Sequence, residues 1–228
     1  MDQIKTEKHK LGSLISETGT SLLLVLKSKY FYIGLVFAIF GACLNFASQA
    51  YLHHYISEGK TLPMLSDLIL DNVPVIDLSL VYDIFSLGVF AVVVIYLVHK
   101  KDLNRLPYIL LLCGIFYIIR GIFIVLTPFG NPPEFQGSDP LFNGFSIYEL
   151  GVYPSGHVGE SFLLLLLVND KVYKYILSFC LAVIIITLII AHGHYSIDIL
   201  SGLFFGYAIK AFGDKYLKVF ELSTEKTG

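Results

Sequence analysis

Apolar residues fall into six runs, at Phe31–Ala50, Ser79–Val98, Leu106–Thr127, Ser155–Val168, Tyr175–Ala191 and Ser196–Phe212. Several approach the roughly 20 residues that cross about 30 Å of hydrocarbon as a helix. A backbone in lipid must satisfy its own hydrogen bonds, so each run is expected to be helical. The pattern predicts an all-α, polytopic membrane protein. Its six-transmembrane-helix bundle spans residues 30–212, between tails at 1–29 and 213–228. Leu11 to Leu26 in the first tail suits an interfacial amphipathic helix. That tail has no uninterrupted apolar core, so no cleavable signal peptide is expected. The fourth run stands apart. Its 14 residues give about 21 Å of helix, about 9 Å less than the hydrocarbon thickness. Either that helix starts earlier, or its mouth lies in a recess below the membrane surface.

Composition strengthens the membrane reading. The chain is 55% hydrophobic and 15% charged with a mean hydropathy of +0.71, against about half apolar and about a quarter charged in soluble domains. The net charge of −2 gives no reason to expect nucleic acid. Cys43, Cys113 and Cys180 lie inside predicted spans without paired spacing, and read as packing residues.

The sixteen basic residues assign the faces. Lys5, Lys8, Lys10, Lys27 and Lys29 lie in the first tail, Lys100, Lys101 and Arg105 in the 99–105 loop, and Lys171 and Lys174 in the 169–174 loop. Lys210, Lys215, Lys218 and Lys226 lie at the C-terminal end. With six spans, these segments share one face, which the positive-inside rule makes cytoplasmic. Both termini are then cytoplasmic. The 51–78, 128–154 and 192–195 connections are extracytoplasmic or lumenal.

Ionisable side chains in the spans then collect near that opposite face: Asp83, Arg120, His157, Glu160, His194 and Asp198. Such groups are costly at membrane depth and mark functional sites. His194 and Asp198 are four residues apart, which puts them on one helical face. The acid can fix the imidazole tautomer and leave the other ring nitrogen free, the orienter-and-base arrangement of hydrolytic triads; a capped helix-start histidine is the bland alternative. In "YPSGHVGES" Ser155 is a good N-cap, and the helix start beyond it, with Gly156 and His157, offers free amides to a phosphate. Arg120 calls for an acid partner, Asp83 or Glu160, or for an anionic ligand such as phosphate. Two histidines, an acid, an arginine and a helix N-terminus together fit phosphoryl transfer through a phosphohistidine. No nucleotide-binding loop is present, so the donor is not expected to be ATP, and no cofactor is expected.

Other signals weigh less. His53, His54 and His192 lack the usual ligand spacing of a metal site. Phe129, Phe135, Phe142, Phe145, Tyr148 and Tyr153 could cage a choline ammonium but more often anchor a loop at the interface. A transporter would need polar residues through the full membrane depth, and the inner halves of the spans are apolar.

These residues resemble the type-2 phosphatidic acid phosphatase superfamily of lipid phosphatases and phosphotransferases. "PSGH" (154–157), and His194 with Asp198, match its second and third motifs. "AHGHYSID" (191–198) looks most like the sphingomyelin synthase branch, as do "LSDLILDNVP" (65–74), Asp83 and "RGIFIVLTP" (120–128). The resemblance spans roughly residues 30–212. Gly121 follows Arg120 where the phosphatase branch has Pro, and Leu188 replaces its arginine. Gly151 stands near the position where the synthase branch has an acid.

The resemblance implies His194 as nucleophile, Asp198 as its orienter and His157 as general acid. Arg120, Ser155, Gly156, Asp83, Glu160 and Tyr195 form the candidate phosphate- and substrate-binding set. The implied reaction moves phosphocholine or phosphoethanolamine from a phospholipid donor to ceramide or diacylglycerol. Water as acceptor would make the chain a lipid phosphate phosphatase or phospholipase C-type hydrolase.

Overall fold

The computed structural model describes residues 18–137 and 150–222. Its helices are α1 (Thr18–Lys27), α2 (Lys29–Ser57), α3 (Ser79–His99), α4 (Leu106–Leu126), α5 (Gly156–Leu167), α6 (Lys171–Ile190) and α7 (Ser196–Tyr216). There is no strand among the described residues. α2, α3, α4, α6 and α7 are each long and apolar enough to cross a membrane. α5 is not. Its 12 residues cover about 18 Å, and the chain before Gly156 is non-helical. Of the two alternatives for this run, the helix does not start earlier.

Local chemistry sets the helix starts. Ser28 accepts the Tyr30 N–H before α2 at 3.2 Å, Ser155 accepts the Val158 N–H before α5 at 3.3 Å, and Asp170 accepts two amides before α6. Each satisfies donors that a helix start leaves free. Pro107 sits in the first turn of α4, where its missing N–H costs nothing. α2 runs seven residues past the predicted Ala50, so the loop that follows it begins at Glu58. Residues 11–17 of the expected interfacial helix lie outside the described residues. Val25 of α1 is fully buried in the core, so that segment packs on the bundle as well as carrying exposed leucines.

Two glycine seams govern the packing. α2 lies along α4, where a methyl group on Gly41 would come within 2.4 Å of the Gly114 carbonyl oxygen and one on Gly34 within 2.5 Å of the Pro107 oxygen. Small residues let backbones approach where no hydrophobic force drives helices together in lipid. α5 meets α7 in the same way. A methyl group on Gly202 would lie 2.9 Å from the Ser155 carbonyl oxygen, and one on Gly206 2.9 Å from that of Gly159. Tyr108, Leu112, Phe116, Leu163 and Ile184 fill the centre of the bundle.

The two ends differ in kind. At one, the 99–105 connection, the 168–170 turn and the C-terminal segment meet through Lys100–Asp170 at 2.7 Å, Arg105–Glu221 at 2.9 Å and Leu222 N–H to Asn104 O at 3.1 Å. At the other, the 58–78 and 128–137 segments join the 191–195 turn. Gly130 donates to Pro63 O, Ile76 to Ile190 O and Gln136 to Ala191 O.

Candidate active site

α5 and α7 begin side by side because their glycines permit it, and Ser155 N–H donates to the Asp198 carbonyl at 3.0 Å. This links the two motifs through the backbone. The His157 and His194 rings consequently face each other edge to face, with centroids 5.9 Å apart. Both line one cavity of about 460 Å³, with Asp83, Arg120, Gly156, Glu160, Asn45 and Tyr117 among its walls.

His194 is 4% exposed, and its Nδ1 lies 3.3 Å from Oδ2 of the fully buried Asp198. That oxygen also accepts the Tyr195 N–H at 2.9 Å, fixing the carboxylate against the turn. With Nδ1 turned to Asp198, Nε2 is the nitrogen left for the cavity. Burial pushes the His194 imidazole below its ordinary pKa, against the opposing pull of Asp198. The neutral form is therefore favoured at neutral pH.

His157 is more open, with a side chain one-third exposed and Nε2 3.7 Å from Oδ1 of Asp83. The Tyr82 ring lies against it, with centroids 5.4 Å apart. Each histidine thus has its own carboxylate. Asp83 lines the cavity beside His157 and forms no ion pair with Arg120.

Arg120 donates through Nε to Pro154 O and through Nη2 to Gly151 O, both at 2.9 Å, and through Nη1 to the Asn45 side-chain oxygen. Neither Asp83 nor Glu160 forms an ion pair with it, and no carboxylate of the described residues lies within 4 Å. Its guanidinium holds the loop that carries Ser155 and Gly156. Five N–H donors serve three such bonds, so two remain for an anion. Glu160 receives the Tyr117 hydroxyl in a short hydrogen bond. Tyr195 lies outside the cavity wall. Its hydroxyl donates to Asn131 O and accepts the Leu65 N–H, each at 3.1 Å, which makes it a tie between loops.

Asn45, Gln49 and Tyr117 also line the cavity, and the titratable residues alone do not point to them. A signal existed for two. Asn45 and Gln49 are polar, four apart on one helical face, in a mostly apolar run that also holds Ser48. Among the described residues no group of three metal-ligating side chains converges. His192 instead sets both ring nitrogens 3.1 Å from carbonyl oxygens, of Pro133 and Val73. Of the loop aromatics, Phe135 lines the cavity, while Phe129 packs on Tyr153 and Tyr195. Phe142, Phe145 and Tyr148 lie outside the described residues.

No curated protein and no solved structure shows a match to the chain. The family model described as PAP2 superfamily C-terminal matches residues 155–214, and that superfamily consists of phosphatases and phosphotransferases acting on phosphate esters. The matched segment opens at the α5 N-cap and contains His157, His194 and Asp198, so the chain is similar to that superfamily over the part where its two motifs meet.

Proposed function

We propose that the chain is an integral-membrane lipid phosphotransferase that works through a phosphohistidine on His194. One observation carries this reading: two histidine rings 5.9 Å apart in one cavity, each with a carboxylate beside it.

In the first half-reaction the free Nε2 of His194 attacks phosphorus while the bond from phosphorus to the leaving lipid oxygen breaks. Protonated His157 gives that oxygen its proton, and a diacylglycerol departs from a phosphatidylcholine- or phosphatidylethanolamine-type donor. In the second half, His157 takes the proton of an acceptor hydroxyl, whose oxygen displaces His194 from phosphorus. Asp198 orients the nucleophile, and the Asp83 carboxylate lies 3.7 Å from Nε2 of His157. Arg120 and the amides at the α5 start stabilise the equatorial oxygens. Ceramide or diacylglycerol is the acceptor in the reading we favour. The similarity to a family of both phosphatases and phosphotransferases supports hydrolysis as the second reading, since water in the second half changes nothing in the first.

The basic connections support a site on the extracytoplasmic or lumenal side. Reconstitution in liposomes with labelled phosphatidylcholine, phosphatidylethanolamine, ceramide and diacylglycerol tests the reaction. Mass spectrometry should find labelled headgroup on ceramide or diacylglycerol. Free phosphorylated headgroup or phosphate as the sole product would establish the hydrolase instead, and no conversion would refute both.

A further inference from the structure

α7 is capped from within only in part: the Asp198 side chain accepts the Tyr195 N–H at 2.9 Å, which leaves the Ser196 N–H to another acceptor. Its N-cap is Tyr195, which lacks the short side-chain acceptor that normally receives the first free amides. The Ser196 N–H, first in the helix, is satisfied from the 58–78 loop. Asp67 Oδ2 accepts it at 2.6 Å, and both Asp67 oxygens lie 2.5 Å from the Ser196 hydroxyl. The same carboxylate caps its own turn, accepting the Ile69 and Leu70 N–H groups at 3.0 and 3.3 Å. Partial burial works against its charge, but the hydroxyl and amide hydrogen bonds outweigh it and hold Asp67 below the usual carboxylate pKa. Asp67 is therefore anionic at neutral pH.

These contacts matter because of what lies two residues further on. Asp198 shares one oxygen between His194 and the Tyr195 amide. Its other oxygen, Oδ1, is buried without a partner among the described residues. A buried carboxylate oxygen with no donor is costly, so Asp198 would turn towards any donor within reach. Ser196 directly follows Tyr195, whose N–H Asp198 already accepts, so its N–H and O–H are the next donors along the turn, and Asp67 occupies both.

We propose that Asp67 is a positioning residue for the His194–Asp198 pair: by taking both Ser196 donors it keeps the Asp198 carboxylate on the imidazole. This rests on the reading of that pair as the nucleophile and its orienter. Asp67 does not line the cavity of the two histidines; it lies behind them, on the far side of the 194–198 turn. It acts through Ser196 and Asp198 alone.

The test uses the full chain in nanodiscs, with p-nitrophenyl phosphorylcholine as the turnover probe. A second probe is diethylpyrocarbonate, whose reaction with each of the seven histidines is followed by mass spectrometry. Asp67→Asn should lower kcat about 10- to 100-fold, the usual cost of losing an orienting partner, and leave KM within about twofold. Asp67→Glu should recover part of the loss. In an Asp198→Asn background, Asp67→Asn should cost less than about twofold more, since the two act on one pathway. His194 carbethoxylation should change alike in Asp67→Asn and Asp198→Asn, while His53 and His54 stay constant.

An unchanged kcat in Asp67→Asn would overturn the proposal. So would an equal further loss on the Asp198→Asn background, or a uniform change in all histidines together with a lower unfolding temperature. The carbethoxylation readout needs no turnover. If the wild type cleaves no phosphate ester yet Asp67→Asn selectively alters His194, the phosphotransferase reading fails and the positioning role stands.

Discussion

Both ends of the bundle hold charged groups, and they neutralise them differently. At the lysine-rich end Arg105 has Glu221 at 2.9 Å and Asp102 at 3.7 Å, and Lys210 has Asp214 at 2.5 Å. At the histidine end Arg120 meets amide and carbonyl oxygens only, and Asp198 keeps one oxygen unpartnered, among the described residues. Removing one partner of a buried charge pair leaves the other exposed to the full desolvation penalty. The first end is therefore built to be self-sufficient. The second leaves Arg120 with N–H donors beyond its three bonds, the capacity that an anionic ligand uses.

The sharpest contrast comes from the histidines themselves. His194→Ala should abolish any covalent phospho-enzyme, as detected by acid-labile ³²P on the protein. His157→Ala should cost about 10²- to 10⁴-fold with a diacylglycerol leaving group, the usual scale for general acid catalysis. A p-nitrophenolate leaving group needs little protonation, so it should partly rescue His157→Ala and leave His194→Ala dead. Asp198→Asn should fall between them. Equal rescue of both alanine variants would erase the division of roles.

The two arginines break the comparison next. Arg120→Gln should lower kcat about 10²- to 10³-fold, the scale of a lost oxyanion donor, with a modest loss of stability. Arg105→Gln should do the reverse. It loses charge-assisted bonds to Glu221 and Leu167 O, each worth about 1.5–3 kcal/mol, so thermal unfolding in detergent should shift while kcat stays near wild type. Loss of turnover without loss of stability in Arg105→Gln would merge the two ends into one functional unit.

A pair of glycine variants sharpens the role of backbone approach. Gly202→Ala puts a methyl 2.9 Å from the Ser155 carbonyl, and such overpacking costs about 1–3 kcal/mol. It should also move α7 off α5 and slow turnover by separating the histidines. Gly88 of α3 has open space where its methyl would go. Gly88→Ala should be neutral or stabilise by up to about 1 kcal/mol through helix propensity. Unfolding curves of both variants, with activities, give the comparison. Equal effects would show that seam geometry is irrelevant.

The sequence made some of this legible and hid the rest for identifiable reasons. Apolar runs locate the helices because lipid forces hydrogen bonding within each segment, and the ends shift by several residues because polar and aromatic side chains such as those of Tyr51–Ser57 continue a helix past its apolar run. His194 and Asp198 are local partners at helical spacing, so the chain itself declares them. His157 meeting His194 is a long-range contact, legible only as a shared depth. The partner of Arg120 was open between phosphate and an acid, and the structure turns it towards carbonyls, because Asp83 goes to His157 and Glu160 to Tyr117. Asp67 is the least legible. It caps a helix 129 residues away, and no periodicity records that.

The smallest expected effect lies at the paired end. Lys100 and Asp170 form an ion pair at 2.7 Å, but their side chains are 40% and 24% exposed, and such pairs contribute little. Lys100→Gln should leave turnover unchanged and the unfolding temperature close to wild type, and raising salt should shrink the small difference by screening. Asp170 carries a second duty, since its Oδ1 accepts the Val172 and Tyr173 N–H groups at the start of α6 at 3.0 and 3.3 Å. Asp170→Asn keeps that capping oxygen and loses the charge, so it should match Lys100→Gln. Asp170→Ala removes the cap as well and should lower the unfolding temperature further. The three variants thus divide the ion pair from the cap at one residue, with unfolding in detergent as the readout. A loss of turnover in any of them at unchanged stability would mean that the lysine-rich end communicates with the histidines, and the division of labour between the two ends would fail.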